Sequence, residues 1–102
     1  MLIEATSQTV AGIVYVLTGN DDLNVGSGVT LISLTSDAIL ANSGQHQITV
    51  SGVVMAYDDA INTIGCEAAQ TIVINAGGVL ISGTTGAVED SDGVLLDGIG
   101  ST

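Results

Sequence analysis

The chain has 102 residues, with eleven Asp or Glu and neither Lys nor Arg. With no cation to replace phosphate counterions it is excluded as a direct nucleic-acid binder, and an anionic membrane surface is excluded on the same ground. A hydrophobic content of 46% with only Tyr15 and Tyr57 as aromatics predicts one folded domain over residues 1–102, with a narrow core of small and β-branched side chains.

Residues 1–7, MLIEATS, hold neither a basic stretch nor a long apolar one, so no Sec-type signal peptide is expected there. Leu2 and Ile3 are read as the start of a cap over the first rung of a repeat structure. Residues 8–23, QTVAGIVYVLTGNDDL, then set a pattern of alternating segment, glycine, second alternating segment and acidic corner. Its apolar run at residues 10–17 is far too short to span a bilayer, so no membrane insertion is expected. The same order of parts recurs in residues 25–39, in residues 47–61 (QITVSGVVMAYDDAI, the clearest copy) and in residues 72–88. A fifth copy is read as starting at Val94.

The copies can be laid over one another at Gly12, Gly28, Gly52, Gly78 and Gly98, and they follow at uneven intervals. Periods of about 20–50 residues mark solenoids and other repeat architectures. The unevenness fits a β-helix whose corners accept loops of different length. An apolar residue follows each glycine, so the alignment predicts that Ile13, Val29, Val53 and Val79 point inward and stack. No proline interrupts the pattern, which leaves every backbone N–H available to a ladder.

Between the copies lie the residues with chemistry. His46, the sole histidine, is read as solvated or at a strand edge rather than as a ligand. Residues 62–70, NTIGCEAAQ, break the β pattern, with room for one helical turn or a bulged corner. Cys66, the sole cysteine, cannot form an internal disulfide and is read as a small buried side chain. The acidic clusters are Asn20-Asp21-Asp22, Asp58-Asp59 and Glu89-Asp90-Ser91-Asp92, with Asp37 at an equivalent corner. Carboxylates on stacked corners about 4.8 Å apart repel by about 0.9 kcal/mol in water. No Lys or Arg can relieve this, so three outcomes are open: the side chains splay into solvent, one of them holds a proton, or a hard cation sits between them. Calcium suits such oxygen ligands, and Asp21, Asp22, Asp58 and Asp59 are the candidate metal ligands.

Gly19-Asn20-Asp21-Asp22-Leu23 resembles part of the unit of the haemolysin-type calcium-binding repeats, G-G-x-G-x-D-x-(apolar)-x, and Asp90-Ser91-Asp92-Gly93-Val94 does so too. Neither carries the full glycine pair, and the units are not in tandem. The chain as a whole is similar to β-helical segments of large, acidic bacterial proteins with such repeats. The resemblance implies calcium binding and an extracellular or cell-surface location, reached without an N-terminal signal peptide.

The fold expected is an all-β, right-handed parallel β-helix of four to five short irregular rungs, with a β-sandwich as the alternative. The function expected is structural: an assembly module that self-associates through its solenoid ends. A calcium-binding module and a neutral-glycan-binding or glycan-modifying β-helix are the alternatives. Enzyme activity is not expected, since lyase chemistry on an anionic sugar needs positive charge and aromatic sugar platforms are absent. Residues 87–102, read as an incomplete rung, are expected at the contact of a homo-oligomer, a dimer or trimer.

Overall fold

A computed structural model describes residues 2–41, 44–63 and 70–82 with side chains, and the backbone of residues 94 and 95. The expectations for Cys66, for the acidic residues 89–92 and for the rest of 87–93 and 96–102 lie outside the described residues. The described chain is all strand: β1 (Leu2–Glu4), β2 (Gln8–Val10), β3 (Tyr15–Leu17), β4 (Asp22–Val25), β5 (Thr30–Ser33), β6 (Ile39–Ala41), β7 (Gln47–Val50), β8 (Val53–Ala56), β9 (Ile61–Asn62), β10 (Thr71–Ile74), β11 (Val79–Ile81) and β12 (Val94–Leu95). Every third strand joins the same sheet. The three sheets run β1-β4-β7-β10, β11-β8-β5-β2 and β12-β9-β6-β3, and every pairing among them is parallel. This is a β-solenoid of four stacked rungs, three strands to a rung. The antiparallel hairpins of a β-sandwich are absent among the described residues, and no helix there is long and apolar enough to cross a membrane.

Parallel register puts each inward side chain on its counterpart one rung away. In the first sheet Leu23 sits over Ile48 and Val25 over Val50; in the second, Leu31 over Val54; in the third, Ile39 over Ile61. All eight are 0–1% exposed and form the centre of the core. The strands read half-buried, buried, half-buried, buried along β4, β5 and β8, which is the period-2 alternation of a one-sided sheet.

That register corrects the glycine alignment. Thr30 pairs with Val53 and Val53 with Val79, so Val29 lies one position ahead of its supposed equivalents. The inward column is Leu31, Val54 and Leu80. Val53 is half-buried on the outer face, Val79 is 41% exposed, and Ile13 lies in the corner before β3, outside every ladder. From Gly52 to Gly78 the period is right and the inward phase is one residue out, which exchanges the two faces of a strand, whereas Gly12 stands at a different corner, after β2. Val94 is corrected in the same way. It pairs with Ile61 in the third sheet, so it belongs to the fourth rung rather than opening a fifth.

The glycines do different work from marking one repeat position. Gly28 and Gly77 take left-handed φ of 85° and 86° in four-residue corners. Gly52 closes a corner two residues shorter, tucked inside the turn of the rung beside it. A Cβ there would lie 2.2 Å from the Val29 carbonyl oxygen and 2.5 Å from that of Gly26.

The first rung closes the stack in a way not read from the sequence. Leu2 and Ile3 are an ordinary rung strand paired to β4. The plug comes from the two inward positions that carry polar atoms, Gln8 over Leu31 and Tyr15 over Ile39. Gln8 Nε2 donates to the Tyr15 hydroxyl at 2.9 Å and the Thr6 N–H donates to it at 3.1 Å.

Leu31→Ala is expected to cost about 2–5 kcal/mol in chemical denaturation, because it opens a cavity in a closed core. Val79→Ala is expected to stay within about 0.5 kcal/mol of the parent. Equal losses at the two positions would contradict the inward phase described here.

Candidate functional site

Two polar corners and one end of the stack carry the features a function can use. The first corner precedes the third sheet. Asp37 and Asp59 fall in one column, two residues before the paired Ile39 and Ile61, and Asp58 stands beside them. One carboxylate oxygen from each of the three lies within 4.8 Å of the others. Asp59 is 3% exposed and Asp37 9%, so the splayed, solvated arrangement does not apply to them. Their burial is made tolerable by donors. The Asp59 N–H donates to Asp37 Oδ1 at 2.9 Å, and Asn62 Nδ2 donates to Asp37 Oδ2 at 2.9 Å. A carboxylate has about four lone-pair sites, so Asp37 keeps acceptor capacity after both bonds. An all-oxygen cluster of this kind fits a hard divalent cation such as calcium.

Of the candidate ligands read from the sequence, Asp58 and Asp59 belong to this cluster. Asp21 and Asp22 lie at a different corner, ahead of β4 in the first sheet. Asp37, treated in the sequence as an isolated equivalent, is the cluster's third member. Its signal was its separation from Asp59 by one full rung, the same as that between Ile39 and Ile61, which the misphased glycine alignment obscured.

The second corner holds Asp21, His46 and Gln70 at equivalent places on three successive rungs. His46 is 2% exposed, which corrects its reading as a solvated or edge residue. The cause is its column. The Asp21 carbonyl meets His46 Nδ1, and because a carbonyl only accepts, Nδ1 carries the proton. The His46 N–H donates to Gln70 Oε1 at 2.9 Å, and Gln70 Nε2 donates to the Gly44 carbonyl at 2.7 Å. Beside it Asp22 Oδ1 accepts from the Gln47 N–H at 2.8 Å. A polar groove of about 280 Å³ runs past these rungs, lined by Asn20, Asp22, Gln45, His46, Gln47 and Thr71. It has no apolar floor, and it is small for an organic-ligand pocket, whose volume typically starts at about 300 Å³.

The third feature is the far end of the stack. Along one inward column Val25 and Val50 are fully buried, but Ile74, the next member, is 49% exposed. Val73, Val79 and Ile81 are 36–41% exposed beside it. Residues 70–82 contain no charged side chain, in a chain of net charge −11. The polar plug at one end therefore has no counterpart at the other among the described residues.

Comparison of the chain with models of known families, with curated proteins and with solved structures returned no match.

Gln70→Ala is expected to destabilise the fold by about 1–3 kcal/mol, because it strips a buried N–H and a part-buried carbonyl of their partner. A melt unchanged from the parent would show that the corner column does not hold the rungs together.

Proposed function

We propose that the chain is a structural β-solenoid module of an acidic secreted or surface bacterial protein, and that it assembles with copies of itself through the ends of its stack. The single observation that carries this reading is Ile74, 49% exposed in a column whose other members, Val25 and Val50, are fully buried. An apolar rung end with free ladder groups associates when a matching end is available. The repulsion that opposes association is screened by salt, so assembly strengthens as ionic strength rises. Light scattering coupled to gel filtration is expected to give a mass above the 10.1 kDa of one chain, growing between low and moderate salt. A monomer mass at high protein concentration in moderate salt refutes the reading.

A second reading, favoured by the Asp37, Asp58 and Asp59 cluster, is that calcium tunes the stability of the module. Binding to the folded state alone stabilises it by about 2.7 kcal/mol at one hundred times Kd. Millimolar calcium is therefore expected to raise Tm, a chelator to reverse the rise, and Asp58→Asn to weaken it. Calorimetry without heat, together with an unmoved Tm, removes calcium from the account.

A further inference from the structure

We infer that the assembly is polar: the β10–β11 end of one copy receives the β1–β2 end of the next, head to tail, and the strand columns continue across the junction. The inference rests on the assembly reading above and adds its partner surface and direction.

Three observations point to it. The first is register. Each inward column keeps its face through four rungs, so placing a second copy on the β10–β11 end sets its Ile3 on Ile72, its Ala5 on Ile74 and its Gln8 on Leu80. The bulky, half-exposed Ile74 then meets the smallest side chain in its column, since Ala5 stands one place beyond Glu4 and its N–H bonds the Asn24 carbonyl. Strand direction is conserved as well, so the junction repeats the parallel pairing used inside the molecule. Tail-to-tail or head-to-head contact reverses one partner and breaks every column.

The second is charge. Residues 70–82 are uncharged, and residues 2–20 carry one carboxylate, Glu4. Asp21, Asp22, Asp37, Asp58 and Asp59 belong to the two middle rungs. Of the strands that meet at a head-to-tail junction, β1, β2, β10 and β11, only β1 carries a carboxylate, Glu4; Glu67, Glu89, Asp90, Asp92 and Asp97 lie outside the described residues. A head-to-tail junction sets Glu4, which already accepts a 2.8 Å bond from Asn24 Nδ2, against the uncharged column member Val73. A head-to-head junction brings two Glu4 side chains together with no cation to separate them.

The third is the plug. The polar atoms of Gln8 and Tyr15 bond each other. Covering the first rung with an apolar rung buries Gln8 Nε2 and the Tyr15 oxygen already bonded to each other, which lowers the cost of the junction. The two ends are unlike, and unlike ends make a heterologous contact that does not close on itself. The product is an open-ended row in place of the closed dimer or trimer expected from the sequence.

The test uses the full chain with Cys66→Ser, so that each variant has one thiol. Glu4→Cys and Val73→Cys are made separately, with distinguishable masses, and mixed under oxidising conditions. Across a head-to-tail junction the two positions are ladder neighbours on the outer face, at a spacing a disulfide can bridge. The expected product is the mixed covalent dimer, in large excess over either like pair. Ile74→Glu, at a site already half-exposed, is expected to retain the far-ultraviolet circular dichroism spectrum and to abolish the mixed product when placed in the Val73→Cys chain. A dominant Val73→Cys pair or a dominant Glu4→Cys pair overturns the polarity and leaves end-to-end assembly standing. Association by light scattering with no covalent product does the same. A monomer in light scattering overturns both.

Discussion

Every part of this molecule depends on parallel pairing at one-rung separation. A parallel ladder carries no side chain across to a different partner; it sets each residue against its own counterpart one rung further along the sequence. A column is favourable when its members are alike and apolar, and Leu23 with Ile48 or Leu31 with Val54 show that case. The same geometry is unforgiving for charge, because a carboxylate on one rung has the next rung's side chain as its nearest neighbour.

In a chain without Lys or Arg the neighbours of carboxylates must be donors of another kind. Asp22 stands beside Gln47 and takes its backbone N–H, Glu4 takes the Asn24 amide, and Asp37 takes one backbone N–H and one amide. Asn side chains and backbone N–H groups do here what cations do elsewhere. Among the described residues, three carboxylates gather only at Asp37, Asp58 and Asp59, and that corner is accordingly where a cation has most to offer.

The solenoid was legible because period, glycine content and the lack of proline all pointed to stacked parallel strands. Phase was not, since glycines enter these corners for two unrelated reasons. Gly28 and Gly77 supply a left-handed backbone, whereas Gly52 leaves room for a neighbouring carbonyl, and aligning one kind on the other shifts the frame by a residue. The burial of His46 is hidden in the sequence for a related reason: nothing local announces that Asp21 lies below it and Gln70 above. The plug was hidden because Gln8 and Tyr15 stand apart in the sequence and neither is unusual alone. Asp58 and Asp59 were found from their adjacency, while Asp37 joined them only once the register was known.

The uneven corners have a consequence for how such a chain changes in evolution. In the third sheet the path from Ile61 to Val94 is half as long again as the path from Ile39 to Ile61, yet both pairs sit in the same ladder. Loop-closure entropy grows only with the logarithm of length, so the extra length costs roughly 0.4 kcal/mol. A solenoid corner is thus a cheap place to insert new sequence, whereas a single residue gained or lost within a strand turns its whole apolar face outward. Variation in this architecture is channelled to the corners, and new chemistry can be grafted there one insertion at a time without disturbing the rungs on either side.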